Sequence, residues 1–139
     1  MTSNETLPDP FAGRWELDPS TLDYQAGRPG RRASYTITSV LDGLLFTLDA
    51  EDADGNPLKF TYGGALDGAD REIAPGTTLT LTRLDERSIE STLKRNGQVA
   101  DRWTRVLQPD GTMLITQFVA APDGRELRNT SLYRRVVDR

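Results

Sequence analysis

The chain has 139 residues, a net charge of -4 and a pI near 4.8, with 36% hydrophobic and 27% charged residues. That length fits one domain with one core, and the acidic balance argues against a broad nucleic-acid footprint. There is no cysteine and no histidine, which excludes disulfides, thiol chemistry, cysteine-ligated zinc, histidine-ligated haem and every histidine-based triad.

Residues 1–10 are polar and carry Pro8 and Pro10. They have neither a basic head nor an apolar stretch, so they read as a disordered or extended lead-in and not as a secretory signal. No run of 18 apolar residues exists to span a membrane. A cytoplasmic protein with a single domain at 11–139 is expected.

Phe11, Gly13, Trp15 and Leu17 alternate with Ala12, Arg14, Glu16 and Asp18, the period of a half-buried strand. Two prolines and two glycines in residues 19–32 forbid a long helix and leave room for one short turn at 20–24. From Ala33 on, strand and turn repeat. Ala33, Tyr35 and Ile37 share a face, and Asp42-Gly43 signals a hairpin that would set Ile37 opposite Leu48 and Ser39 opposite Phe46. A three-residue loop at Ala53-Asp54-Gly55 sets Leu48 opposite Phe60 and keeps the apolar faces together. Leu58, Phe60 and Tyr62 continue that face, and Gly63-Gly64 predicts a bend or bulge. Residues 66–76 resemble a loop with a short strand at 71–74.

Strands then follow at 77–84, 88–95, 98–108, 112–121 and 125–136. Asp85-Glu86, Asn96-Gly97, Asp110-Gly111 and Asp123-Gly124 are read as two-residue turns between them. Strands joined this tightly predict an all-β chain, a single up-and-down antiparallel barrel of about eight to ten strands that closes to remove its edges.

Those turns let faces be compared. Trp103, Arg105 and Leu107, then Leu114, Thr116 and Phe118, then Leu127, Asn129, Ser131 and Tyr133 fall on one side, with the aromatics. The other side carries most of the charges, so the first is expected inside. Register carried further back puts Ser88, Glu90 and Thr92, and then Leu79, Leu81 and Arg83, inside as well. Arg105, Glu90, Arg83, Thr116, Ser131, Tyr35, Tyr62 and Tyr133 are too many polar groups for a simply packed core. An amphipathic ligand cavity fits them better.

The strand at Phe11, Gly13, Trp15 and Leu17 resembles the opening strand of the calycins, the superfamily of lipocalins and fatty-acid-binding proteins. Trp103-Thr104-Arg105-Val106-Leu107 with Asp110-Gly111, and Thr130-Ser131-Leu132-Tyr133-Arg134-Arg135-Val136, are similar to the closing strands of the fatty-acid-binding proteins. Uncharacterised bacterial lipocalin-like proteins are closer still, through the Trp15 strand, Thr80-Leu81-Thr82-Arg83-Leu84-Asp85 and the Asp-Gly hairpins. In the fatty-acid-binding proteins two arginines and a tyrosine hold the ligand carboxylate. The resemblance puts the first arginine on Arg105 and the tyrosine on Tyr133, but a serine, Ser131, stands at the second arginine. It also implies a helical lid for which residues 19–32 are too short.

The leading expectation is a small-molecule binding barrel for an amphipathic ligand such as a fatty acid. Its tail would lie among Phe46, Phe60, Trp103 and Phe118, and its head near Arg105 and Tyr133, with Tyr35, Tyr62, Glu90, Thr116 and Ser131 around it. Glu90 would neutralise Arg105 from the neighbouring strand. Trp15 would plug the closed end under a stacked Arg134 or Arg135. A second reading is an interaction module with a filled barrel, monomer or homodimer, whose outer face carries Ile89, Leu93, Val106 and Ile115. A third is a barrel isomerase or cyclase leaning on Glu90, with Asp101 as a second carboxylate, or on tyrosines; no catalytic set surrounds them. No cofactor is implied. Asp49, Glu51, Asp52 and Asp54 lack the twelve-residue calcium-loop pattern and read as a solvated acidic turn.

Overall fold

The computed structural model describes residues 9–137. Most of the expected lead-in lies outside the described residues, but Asp9 and Pro10 already engage the barrel. Asp9 accepts from the Phe11 amide at 3.0 Å and pairs with Arg83, and the Pro10 carbonyl accepts from Arg135 Nη2 at 2.9 Å. Ten strands follow: β1 (Gly13–Tyr24), β2 (Arg32–Val40), β3 (Gly43–Glu51), β4 (Pro57–Ala65), β5 (Asp67–Ala74), β6 (Thr77–Asp85), β7 (Ser88–Arg95), β8 (Gln98–Leu107), β9 (Met113–Ala120) and β10 (Glu126–Arg135). No described residue is helical.

All neighbours are antiparallel, in one sheet ordered β4-β3-β2-β1-β10-β9-β8-β7-β6-β5. The first and last strands therefore pair in the middle of the sheet, and β4 and β5 are its two edges. β4 runs into β5 through Leu66 alone, and the Leu66 carbonyl accepts from the Arg83 amide of β6 at 3.3 Å, which extends the β5–β6 ladder to that link. The result is an all-β, nearly closed barrel. No helix is long and apolar enough to cross a membrane.

One end is packed solid. Phe11, Trp15, Ile37, Leu44, Ile89, Leu107 and Met113 are buried together there. Trp15 donates its indole N–H to the Phe11 carbonyl at 3.0 Å, so the ring is buried without losing a hydrogen bond. Arg135 lies over the Trp15 ring at 4.2 Å and donates to the Ala12 carbonyl at 2.7 Å. Arg134 points outward to Asp18 at 2.9 Å, so Arg135 alone is the stacked arginine.

The turns explain where the expected faces stand and fall. Asp110-Gly111 and Asp123-Gly124 are not two-residue loops. Gln108 N bonds Thr112 O, and Ala121 N bonds Arg125 O, both at 2.8 Å, so each loop holds three residues, Pro-Asp-Gly. Proline presets the first turn position, and the glycine takes the left-handed conformation, with φ of +89° at Gly111 and +87° at Gly124. The extra residue inverts β9. Met113, Ile115 and Gln117 face inward, while Leu114, Thr116 and Phe118 face outward, opposite to expectation. A second such loop inverts the pattern again, which returns Asn129, Ser131 and Tyr133 to the inside as expected.

β7 is inverted by two β-bulges. Asn96-Gly97 is the expected two-residue turn, pairing Arg95 with Gln98, but the register slips by one between Leu93 and Lys94. It slips again between Arg83 and Asp85. An unpaired residue flips every side chain beyond it. Ile89, Ser91 and Leu93 thus face inward in place of Ser88, Glu90 and Thr92, and the second slip restores Leu79 and Leu81 to the expected side.

Three smaller expectations change. The β2–β3 turn is Leu41-Asp42, one residue early, so Ile37 pairs with Phe46 and Ser39 with Leu44; the faces survive because both strands shift together. β1 runs through the predicted break. Its pairing with β10 slips between Asp18 and Asp23, where Ser20 and Thr21 close a turn on Asp18 and Thr21 Oγ1 accepts from the Leu132 amide at 2.9 Å. Gly63-Gly64 is no bulge, since β3 and β4 pair without a slip, in the expected Leu48–Phe60 register. A Cβ at Gly63 would lie 2.3 Å from the Leu44 carbonyl oxygen, so glycine permits the close approach of the strands.

Candidate functional site

Above the packed end the barrel is hollow. A cavity of about 810 Å³ opens between the sheet walls, within the range of small-molecule sites. Its wall is aromatic and aliphatic: Tyr24, Tyr35, Phe60, Tyr62, Trp103 and Tyr133, with Leu48, Leu58, Ile73, Leu79, Leu93 and Ile115. Asp101, Gln117, Asn129 and Ser131 add polar groups. Leu58, Phe60 and Ile73, on the two edge strands, are 45%, 48% and 52% exposed and form an apolar rim.

Arg105 is the electrostatic centre. It is 0% exposed. Its guanidinium carbon lies 4.4 Å from the Phe46 ring centre and 4.9 Å from that of Tyr35. Nη2 donates to the Tyr62 hydroxyl, and Nη1 makes a long contact of 3.5 Å to Ser91 Oγ. Nε is buried with no hydrogen-bond partner. Among the described residues no carboxylate lies within ion-pair distance. A cation held by neutral hydroxyls and ring faces, with no carboxylate, is a costly arrangement in a dry interior. Tyr35 and Tyr62 are also cavity wall, so the charge stands directly behind it. Burial pushes the Tyr62 and Tyr133 phenols well above their usual range, with Arg105 pulling them partly back. Both are therefore neutral at pH 7 and can donate.

The expected Glu90–Arg105 pair does not form. Glu90 lies on the outer face and pairs with Arg102 at 3.3 Å. Phe118 also lies outside, with the Arg102 guanidinium 3.9 Å above its ring, so it cannot line a tail. Thr116 pairs between Thr104 and Thr130 on that same outer face. The expected outer patch is lost too: Ile89 is buried, Leu93 and Ile115 line the cavity, and only Val106 of that set faces out. Of the other expected residues, Tyr35, Phe60, Tyr62, Trp103, Ser131 and Tyr133 line the cavity. Phe46 stacks beneath Tyr62 at 5.2 Å. Tyr133 meets Tyr35 at 5.5 Å.

No protein-family model matches the chain, and no curated protein matches it by sequence. Its shape does match. Zebrafish ileal bile acid-binding protein, in a crystal complex with cholic acid, superposes with a TM-score of 0.58 at 14% identity, over 91% of this chain and 99% of that one. The likeness is one of fold, an antiparallel β-barrel. A redesigned β-barrel, mFAP1, bound to DFHBI, is also similar, with a TM-score of 0.46 at 12% identity over 88% of this chain and 94% of that one.

The barrel has a polar relay that the strand pattern did not reveal. Asn129 Oδ1 accepts from the Gln25 and Ala26 amides at 2.9 and 3.0 Å. That fixes its Nδ2 as donor to the Ala26 carbonyl at 2.9 Å and to Gln117 Oε1 at 3.2 Å. Gln117 Nε2 in turn donates to both oxygens of Asp101, at 3.1 and 3.3 Å. Gln117 was missed because β9 is inverted, and only the proline of Pro109-Asp110-Gly111 could have betrayed that. At the acidic turn, Asp49 and Glu51 pair with Arg32, and Asp54 pairs with Arg28.

Proposed function

We propose that this protein is a binding barrel for an amphipathic small molecule with an anionic head, of the fatty-acid class. The observation that carries the reading is Arg105, a buried cation without a carboxylate partner among the described residues, behind the wall of a cavity of about 810 Å³. An entering anion would supply the missing countercharge. Arg105 donates to the Tyr62 oxygen, which polarises the phenol and offers its own proton to the head group. Tyr133 and Ser131 would add donors nearby. The tail would lie against Phe60, Trp103, Leu79 and Ile115. That a solved protein of the same fold binds a bile acid supports a ligand of this kind. The same reading makes the protein a carrier and not an enzyme, and keeps it in the cytoplasm.

The test is calorimetric titration of the delipidated protein with laurate and with the matching alcohol. Arg105→Met keeps the side-chain stem and removes the charge. Laurate affinity is expected to fall by about 10- to 100-fold, and that of the alcohol by far less. Equal loss for both ligands would remove Arg105 as the anchor. Failure of the native protein to bind either would overturn the reading itself.

A further inference from the structure

The cavity has a second electrostatic pole. Asp101 and Arg105 both sit on β8 with side chains on its inner side, and Trp103 lies between them. Four residues of extended strand separate their backbones by about 13 Å. Arg105 lies toward the packed end, and Asp101 toward the mouth, beside Gln117 and Asn129. No described cation lies within ion-pair distance of Asp101, and its protein donor is Gln117 Nε2. The relay behind it is not adjustable. Two backbone amides orient Asn129, Asn129 orients Gln117, and Gln117 presents its donor edge to the carboxylate. A carboxylate offers about four acceptor positions, and one amide group cannot fill them. The rest of its capacity faces the cavity.

We propose that the ligand is bipolar: an anionic head at the Arg105 end and a hydrogen-bond donor, hydroxyl or ammonium, at Asp101. This rests on the reading of Arg105 as the anion anchor, and it adds a substrate class and a direction to it. A plain fatty acid would leave Asp101 facing methyl groups, which costs the carboxylate part of its solvation. A chain with a donor about 13 Å from its head would satisfy both ends. The same two charges fix orientation, because an anionic head placed at the mouth would meet Asp101.

The experiment compares laurate, ω-hydroxylaurate and ω-aminolaurate, each titrated into the delipidated full chain by calorimetry. At least one ω-substituted acid is expected to bind about tenfold more tightly than laurate. Preference for the amine would assign an ammonium, and preference for the alcohol a hydroxyl. In Asp101→Leu the ratio is expected to fall to about one. Laurate binding as tightly as both substituted acids in the native protein would overturn the bipolar assignment while leaving the anion-binding reading intact. A ratio unchanged in folded Asp101→Leu would overturn Asp101 as the second pole. Failure of all three acids to bind would overturn both readings together. If Asp101→Leu does not fold, the native comparison decides alone.

Discussion

The packed end and the hollow half of this barrel are built from the same ten strands and obey opposite rules. At the packed end the polar atoms of large side chains find protein partners: the Trp15 indole meets the Phe11 carbonyl, and Arg135 is held by two backbone carbonyls over an indole face. In the hollow half, among the described residues, Arg105 keeps an unpartnered Nε, and Asp101 has a single side-chain amide for company. All four tyrosines of the chain line the cavity, and none lies at the packed end. The difference shows where stability is concentrated and where it is forgone. Close packing at one end lets the other hold unsatisfied groups that a ligand can complete.

Substitutions can break that contrast. Trp15→Ala is expected to cost about 3–5 kcal/mol in urea unfolding, since it empties a fully packed site. Phe60→Ala, on the half-exposed rim, is expected to cost less than about 1 kcal/mol. Similar costs at the two positions would mean that the ends are not mechanically distinct. Arg105→Met is expected to stabilise the ligand-free protein by up to about 2 kcal/mol, because it replaces a buried, poorly compensated charge with an apolar chain of similar length. The same variant that weakens anion binding would then melt at a higher temperature by calorimetry. Marked destabilisation would make Arg105 a structural residue.

The smallest effect is read from alkaline pH. Burial raises the Tyr62 and Tyr133 phenols above the value they have in the unfolded chain. Below pH about 10 both states are protonated and the groups do not affect the balance. As pH rises beyond that, the unfolded chain ionises first and is favoured, so stability falls toward the raised folded values. Tyr133→Phe removes one of these groups, and its stability should decline less steeply above pH about 10 in a denaturant series. A parallel decline in both proteins would show that this tyrosine ionises as easily folded as unfolded.

The fold was legible because alternation survives local errors. Every strand from Ala33 onward except β5 reads as apolar on one side, whereas β5 is exposed throughout and most of it was expected as loop. Which side faces inward was less legible, for a physical reason. A period of two converts one miscounted residue into a complete inversion. Pro109-Asp110-Gly111 and Pro122-Asp123-Gly124 each add one residue, and the slips flanking β7 do the same. Two odd errors restore parity, so β6, β8 and β10 read correctly while β7 and β9 between them do not. Glu90, Thr116 and Phe118 are the cost of that inversion, and Gln117 is the residue it concealed. The prolines were visible signs of three-residue loops. The bulges had no comparable sign, because nothing at Leu84 or Ala100 distinguishes an unpaired strand residue from a paired one. The Trp15 end was easier to read because an aromatic residue so early in an alternating strand needs cover wherever the sheet closes.

The unpaired boundary between β4 and β5 has a topological consequence. Every other junction but one joins strands that are consecutive in the chain, and that one is the β1–β10 seam, where Arg135 reaches Ala12 across 123 residues. The entropy of closing the ring is therefore concentrated in a single pairing. If the chain were circularly permuted, with residue 137 joined to residue 9 and new ends cut near Leu66, that seam would become a local hairpin. The split in the wall would then coincide with the chain ends. Such a molecule would consist of nearest-neighbour pairings alone, with its edge strands no longer joined by a covalent crossing at the packed end.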